Sequence, residues 1–575
     1  MKKILMFLFL ILASFSALHA QLSLADEIQR RQQQQSQDML RQRELDAVRK
    51  AQDSEVEFNL SAPAVTGGSE GCFDVVNVRI SGVVKLNPKK VRQNVLKHIK
   101  SCMAKDDLQQ LQSEVQKMYV DKGYIGARVY FDFTNVKQKL LDVVVDEGFV
   151  EDIVMADAAT ETPLDNFRAR WQIADAFPYK KGKILNLRHI EQGLDQINKL
   201  SSNNAVMDVR PGDKEGGSVI FINNNKSATT QLTAGYDNSG QSSTGRYKGN
   251  ISISQDNLFS INDNLFLNAS STLWNNRDLR YSDSYTASLR VPLGYWTLSN
   301  NFSYSKYLTT TKGSVSSFES SGDSTSNTFA VERMFLRGSS YKLSLGAQLT
   351  VKDSKNYLED VFLDTSSRLL STGSVYATGT YYSRWGSFFG KLTYNRGLDI
   401  FGSEKDENIQ YGQPRAQFDS FALYLNYSKD FWKVNYTVSV DSQYSGDDLF
   451  SSEQMMIGGE GTVRGFRENS ISGEKGFYIR NDFRIPLTEI LGESNNPFIT
   501  AVLTQTYAGV FADYGYVKPQ TFGDGGSMAG AGAKLTYYGR YINGGFAYSR
   551  SISSPSYIDD EGNIFYFNIS LSLSF

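Results

Sequence analysis

From about Ser227 to the C-terminus, apolar side chains recur at every second position. Tyr247, Gly249, Ile251 and Ile253 share one face; Leu265, Leu267 and Ala269 share another; Tyr285, Ala287, Leu289 and Val291 a third. A period of two predicts strands with one apolar and one polar side. Turn pairs such as Asp237-Asn238, Asn275-Asn276 and Asp447-Asp448 fall between the runs. The last run is the most regular: Phe565, Phe567, Ile569, Leu571, Leu573 and Phe575 face one way, and Tyr566, Asn568, Ser570, Ser572 and Ser574 the other. With about ten residues per strand and as many per connection, residues 225–575 hold on the order of 16 strands, the even number that bacterial membrane barrels require. The pattern predicts an antiparallel transmembrane β-barrel with an apolar outer face and a hydroxyl-rich lumen. A soluble sandwich is the competing reading of any one such strand.

Upstream, the period changes. Residues 73–149 read as strand, helix, helix, strand, strand. Val75, Val78 and Ile80 mark the first strand and Pro88 a helix start. Asp106 is expected to cap a second helix with Leu108, Leu111, Val115, Met118 and Tyr119 on one face, ended by Gly123. Strands at Ala127 to Phe133 and Leu140 to Val145 complete the unit. Residues 150–224 repeat the order: a strand from Val150 to Met155, a helix from about Pro163 to Trp171, then an amphipathic helix with Leu187, Ile190, Leu194 and Ile197 aligned. Strands at Ala205 to Val209 and Val219 to Ile222 follow. Repetition of one supersecondary unit predicts two tandem βααββ domains.

Residues 21–52 are helix formers without Pro or Gly. Their few apolar positions, Ile28, Leu40, Leu45 and Val48, cannot build a core. A disordered leader and a polar rod in a water-filled space both fit. Residues 53–72, with Ser61-Ala62-Pro63 and Thr66-Gly67-Gly68-Ser69, read as a linker. Met1 to Ala20 reads as a secretory signal: Lys2 and Lys3, a short apolar run from Ile4 to Leu12, and a small-residue cleavage site at Ala20.

Composition supports this division. The 575 residues carry a net charge of -2, which argues against nucleic-acid binding. Aromatics reach 13%, and 47 Gly stand against 11 Pro, a mix of strands and turns. A mean hydropathy of -0.36 does not exclude a barrel, because lumen-facing positions are polar. In an oxidising compartment the only two cysteines, Cys72 and Cys102, read as one disulfide, with two free buried thiols as the competing reading. With three histidines, His19 in the signal and His98 and His189 on the predicted surfaces of separate modules, a metal pair or a Ser-His-Asp site has little material. No phosphate-binding loop is present, and no cofactor is expected.

Two short strings carry the candidate chemistry. Gly458-Gly459-Glu460-Gly461-Thr462-Val463-Arg464-Gly465-Phe466 is a glycine-rich loop with an arginine at its tip. A guanidinium facing lipid costs several kcal/mol, so Arg464 is expected to fold back into the lumen. Phe511-Ala512-Asp513-Tyr514-Gly515 offers a carboxylate, and alternation requires Phe511 to share its face with Asp513. A charged hairpin tip and an unrelated turn would be the plainer explanation. Together the strings resemble the V-R-G-F/Y and F-x-D-x-G signatures of outer-membrane transporters with POTRA domains.

The ordered set of motifs resembles the TpsB transporters of two-partner secretion, which include haemolysin, filamentous haemagglutinin and contact-dependent inhibition exporters. In the first module it consists of Cys72-Phe73, Cys102, Lys122-Gly123-Tyr124-Ile125, Arg128-Val129-Tyr130 and Glu147-Gly148. In the second it is Leu185-Asn186-Leu187-Arg188, Glu191-Gln192-Gly193-Leu194-Asp195-Gln196-Ile197-Asn198 and Pro211-Gly212. In the barrel it is Arg396-Gly397-Leu398, Ile457-Gly458-Gly459, Val463-Arg464-Gly465-Phe466 and Arg480-Asn481-Asp482-Phe483. Two departures stand out: Asp482, where the family more often has glutamate, and Phe131-Asp132-Phe133, where a proline-containing segment is usual.

The resemblance implies an outer-membrane transporter of a Gram-negative bacterium with two POTRA domains in the periplasm. It implies export, without ATP, of a large unfolded TpsA-type exoprotein with an N-terminal secretion domain: a haemolysin, adhesin or contact-dependent inhibition toxin. Residues 21–52 would plug the barrel, and Val463, Arg464, Gly465 and Phe466 would form a lumen loop held near Phe511, Asp513 and Gly515. Phe575 would end a signal read by the barrel assembly machinery. Outer-membrane lipid is the surrounding partner and a monomer is expected. A passive porin does not explain the two modules. A BamA-type assembly factor shares the arginine loop but usually carries more modules and no leading helix.

Overall fold

The computed structural model describes residues 25–47, 72–157, 160, 162–164, 166–178, 181–274, 276–312 and 317–575. The expected signal (1–20), the linker apart from Cys72, the ends of the expected N-terminal helix and Asn275 of one expected turn lie outside them.

Sixteen strands close into a barrel because the first, Thr230–Asp237, pairs with both the second, Lys248–Asp256, and the last, Asn563–Ser574. Closure leaves no unpaired edge in lipid. Register aligns the faces read from the sequence. Ile251, Ala269, Tyr285 and Tyr304 are successive partners across four strands, and so are Ser252, Asn268, Thr286 and Ser303. The first row faces outward; the second lines the interior. Among the described residues no helix is long and apolar enough to cross a membrane.

Two α+β modules precede the barrel. In the first, helices Pro88–His98 and Lys105–Val120 pack on a sheet of Asn77–Ser81, Leu140–Asp146 and Arg128–Asp132, in that order. Val91, Val95, Leu111, Val115, Tyr119 and Val143 are fully buried between the layers. Cys72 and Cys102 are disulfide-bonded. In the second module Phe149–Ala156, Gly217–Asn224 and Ala205–Pro211 form the sheet, covered by Phe167–Ala176 and Leu187–Asn198.

Local departures have identifiable causes. Asp106 is not a cap: the helix starts at Lys105, and the Asp107 carboxylate reaches back to accept the Ala104 N–H at 3.0 Å. The expected Pro163 to Trp171 helix instead spans Phe167–Ala176. Asn166 caps it through the Ala169 N–H, while Pro163 bridges to Ala156 in extended backbone. The expected first strand divides as the chain changes partner: Phe73–Asp74 pairs with Cys102–Met103, Asn77–Ser81 with Leu140–Asp146, and Val75 lies between. Two helices, Thr488–Leu491 and Pro497–Thr504, interrupt a region read as strands and turns only.

Candidate functional site in the barrel lumen

Residues 446–474 join two wall strands, Val434–Ser445 and Lys475–Pro486, and fold into the barrel. A short hairpin, Met455–Ile457 against Ile471–Gly473, forms the neck. Positive φ at Gly458 (106°), Gly459 (121°) and Gly465 (112°) lets the chain reverse, and a Cβ on Gly465 would lie 2.7 Å from the Arg550 carbonyl oxygen. Val463 and Phe466 are fully buried with Ile457, Tyr478, Val517 and Met528. The wall is shaped to receive this loop. A Cβ at Gly530 would lie 1.6 Å from the Arg464 carbonyl oxygen, and one at Gly515 3.0 Å from both Ile457 and Val463. Glycine at these two positions therefore forms the seat.

Arg464 is 5% exposed and makes a paired set of charge-assisted bonds. Its Nε donates to Asp513 Oδ2 at 2.6 Å and its Nη2 to Asp513 Oδ1 at 2.6 Å, while its backbone N–H donates to Oδ2 at 3.0 Å. The guanidinium lies 3.7 Å from the Phe511 ring centroid, so the phenyl face supports it from below. A second carboxylate completes the cluster: Nη1 and Nη2 donate to Asp482 at 2.9 and 3.2 Å, and Lys534 Nζ donates to Asp482 Oδ1 at 2.5 Å. Sequence reasoning missed Asp482 as a partner. Asp482 shares a strand face with Arg480, but what brings it to the loop is its register with Phe511, which the sequence of one strand does not show.

Residues 25–47 form a helix inside the lumen. At 1.5 Å per residue it is roughly 34 Å long, enough to cross a bilayer core. Its contacts are mostly polar. Gln29 donates to Asn356 at 3.0 Å, Gln32 to Ser282 at 2.8 Å and Arg43 to Asn264 at 2.9 Å; Arg41 pairs with Asp441 at 2.6 Å. Arg41 also stacks on Tyr424, and Arg43 on Phe266. Apolar burial is confined to Ala25 and Ile28 against Tyr307 and to Leu45 against Phe389 and Tyr424. Helix and loop touch directly: Arg31 donates to the carbonyls of Arg467 and Glu468 at 3.1 and 3.2 Å, and Ser470 donates to Glu27 at 2.8 Å.

A cavity of about 1610 Å³ surrounds the helix and extends to the second module at Asp195, Gln196 and Lys199. The module is fixed to the barrel mouth there. Asp195 pairs with Arg337 and Lys342 at 2.5 and 2.6 Å. Burial pushes its pKa up, but the two cations outweigh burial and hold the carboxyl below its usual range. Gln192 and Gln196 both donate to the Gly294 carbonyl, at 3.0 and 2.7 Å. Asn262 donates to the Gln172 carbonyl at 2.8 Å beside Asp175, whose carboxyl burial pushes up to about 7. His189, expected on an open module surface, is half-buried here against Tyr295 of a barrel turn, with its Nδ1 hydrogen-bonded to the phenol. The reason is that the surface it lies on is the joint.

Comparison with known proteins agrees with this geometry. Residues 216–537 match the family described as haemolysin secretion/activation protein ShlB/FhaC/HecB; residues 73–148 match the ShlB-type POTRA domain and residues 149–211 another POTRA domain. The outer membrane transporter CdiB of Dickeya dadantii (strain 3937) is 30% identical over 511 residues, covering 87% of each chain. The hemolysin transporter protein ShlB of Serratia marcescens is 32% identical over 426 residues, 73% of each chain. The solved structure of CdiB from Escherichia coli superposes with a TM-score of 0.83 at 26% identity, covering 95% of this chain and 99% of that one. The chain belongs to the haemolysin secretion/activation family ShlB/FhaC/HecB, outer-membrane transporters of two-partner secretion.

Proposed function

We propose that this chain exports one large secreted protein, unfolded, from the periplasm through the barrel lumen, with helix 25–47 as a removable plug and the Arg464 loop as a fixed wall element. The carrying observation is the contrast between the two objects in the lumen. The helix is held mainly by polar groups that water can replace, whereas the loop is seated on glycines and tied by buried charge. The modules supply a reception surface. Strands Asn77–Ser81 and Arg128–Asp132 are sheet edges in the first, and Ala205–Pro211 in the second. An extended peptide can add to such an edge, backbone bonds giving affinity and side-chain pockets selectivity. Directionality comes from folding of the cargo outside, since no nucleotide is involved. The cargo belongs to the class of haemolysins, adhesins and contact-dependent inhibition toxins.

The test is reconstitution. Purified chain in vesicles, mixed with the unfolded N-terminal secretion domain of the large secreted protein encoded beside it, should give protease-protected cargo without ATP. A porin of equal strand number should not. Cargo that stays protease-sensitive, with the barrel demonstrably closed, refutes export as the activity.

A further inference from the structure

Wall strands Lys475–Pro486 and Thr506–Lys518 are joined at the module end of the barrel by residues 487–505, which contain the helices Thr488–Leu491 and Pro497–Thr504. No side chain of either helix is buried. Ile490, Leu491, Phe498 and Ile499 are 54%, 65%, 75% and 46% exposed. No charged residue occurs between Glu493 and Asp513. An apolar surface of this kind on a water-facing turn needs an occupant.

The apolar side chains project from a fixed backbone. Asn496 caps the second helix through the Phe498 N–H at 2.9 Å. Thr500 Oγ1 donates to the Ser494 carbonyl at 2.9 Å and accepts the Ser494 N–H at 3.0 Å. Backbone bonds from Leu487 to Thr506 (2.7 Å) and from Tyr538 to Gln505 (2.9 Å) hold both ends to the wall, and Lys433 pairs with Glu489 across to the neighbouring turn.

We propose that residues 487–505 form an in-plane membrane foot, whose apolar side lies in the periplasmic leaflet of the outer membrane at the boundary of headgroups and acyl chains. Three observations select lipid as the occupant. First, the patch continues the lipid-facing surface. Phe483 stacks on Tyr436 (4.5 Å between centroids), its register partner Val510 is 57% exposed, and Trp432 of the adjoining turn is 90% exposed. Aromatic side chains at that level mark a membrane interface. Second, cations stand where headgroup phosphates would lie: Lys433 beside Trp432, and Arg540 over Tyr541. Third, the foot stands away from the export route. It follows the twelfth wall strand, whereas the second module's contacts centre on Gly294, after the fourth. Eight strands in a ring of sixteen is half the circumference, and residues 487–505 do not line the lumen cavity. The foot and the module therefore support the barrel from opposite sides.

The test uses the full chain in phospholipid vesicles, unreduced, with a nitroxide on Phe498→Cys, and separately on Leu491→Cys and Glu493→Cys. Barrel closure is checked by heat-dependent gel mobility. A side chain sunk roughly 5–10 Å past the headgroups meets oxygen and is screened from a water-soluble nickel complex. The labels at 498 and 491 should collide more with oxygen than with the complex, and the label at 493 the reverse. Dominant nickel accessibility at both 498 and 491 overturns the proposal. So does protection that arises only on adding the unfolded secretion domain, which makes the patch a cargo site. Protection that grows with protein-to-lipid ratio also overturns it, by making the patch a contact between copies.

Discussion

Substituting Arg464 separates the loop's charge cluster from the rest of the fold. Its side chain is 6% exposed and that of Asp513 is 0% exposed, whereas Asp482 and Lys534 are 22% and 26% exposed. Arg464→Ala leaves Asp513 buried without its cation, a change that costs about 3–5 kcal/mol. Asp513→Ala is milder, because the guanidinium keeps Asp482; the loss is three hydrogen bonds to a carboxylate, about 2–4 kcal/mol after relaxation. Asp482→Asn acts on a partly solvated pair and costs about 1 kcal/mol or less. The double change Arg464→Ala with Asp513→Ala removes both buried charges and should cost no more than Arg464→Ala alone, so the coupling is at least the cost of Asp513→Ala, about 2–4 kcal/mol. Arg464→Lys should not rescue, since one ammonium cannot span two carboxylates with the geometry of a fork. The measurement is hydrogen exchange over residues 455–473 in lipid nanodiscs, alongside cargo secretion. A loss of 3 kcal/mol corresponds to about a hundredfold faster exchange. Unchanged protection in Arg464→Ala, or additive losses in the double variant, refutes the assignment of this cluster as the loop's anchor.

Deleting residues 22–52 should raise channel conductance in planar bilayers while the barrel still shows its heat-dependent gel shift; unchanged conductance means that the helix does not occlude the pore. Gly530→Val should evict the loop as Arg464→Ala does, because its side chain would overlap the Arg464 carbonyl, and loop protection equal to the parent's would count against the glycine seat. Replacing Cys72 and Cys102 by Ser opens a link across 30 residues and should lower the first module's stability by about 3 kcal/mol, read from denaturant midpoints against the oxidised parent. Asp175 supplies a pH dependence. Burial, with Asp263 nearby, raises its pKa to about 7, so the seated module binds this proton more tightly than the unfolded chain does. Its contribution is therefore full below the ordinary carboxylate range and is lost as pH rises through about 7. Thermal unfolding of the module should shift down between pH 5 and 8, and Asp175→Asn should flatten that shift.

What the sequence disclosed depended on the range of the interaction that fixes each feature. The last strand was legible because its two faces differ at every position from Phe565 to Ser574. The helix Leu187–Asn198 was legible because Leu187, Ile190, Leu194 and Ile197 repeat at the helical spacing. The Arg464–Asp513 proximity could be expected from one electrostatic argument, as charge avoids lipid and seeks an acceptor. Asp482 could not be found the same way. Its role comes from the register that pairs it with Phe511, and register is not written in one strand alone. The helix Pro497–Thr504 was hidden for a different reason: Phe498 to Thr504 is short and rich in β-branched residues, so it reads as a strand, although Asn496-Pro497 is a good helix start. Gly515 was expected near the loop only through the F-x-D-x-G resemblance, and the seat at Gly530 was invisible, since what excludes a side chain there is the Arg464 carbonyl, more than 50 positions away in the chain.

The same physics assigns different mobilities to the two objects in the lumen. Helix 25–47 is held mainly by contacts that water can replace one by one. Only Ala25, Ile28 and Leu45 are buried apolar side chains, and each hydrogen bond to the wall exchanges for one to water at a net cost of about 0.5–1.5 kcal/mol. Its ion pair to the wall, Arg41 with Asp441, is 28% and 16% exposed, so water reaches both groups. The loop has no such exit. Detaching it would uncover Val463 and Phe466 and strand two carboxylates against one lysine, Lys534. Yet the two are linked, because Arg31 holds the carbonyls of Arg467 and Glu468. Those bonds lie on the outer flank of the loop, past the Arg464 anchor. Withdrawing the helix therefore removes two bonds from a segment that the wall still holds, since the N–H groups of Arg467, Glu468 and Asn469 all donate to Glu561. A wider lumen follows from loss of the helix alone, and the barrel needs no change in strand number or register to give it.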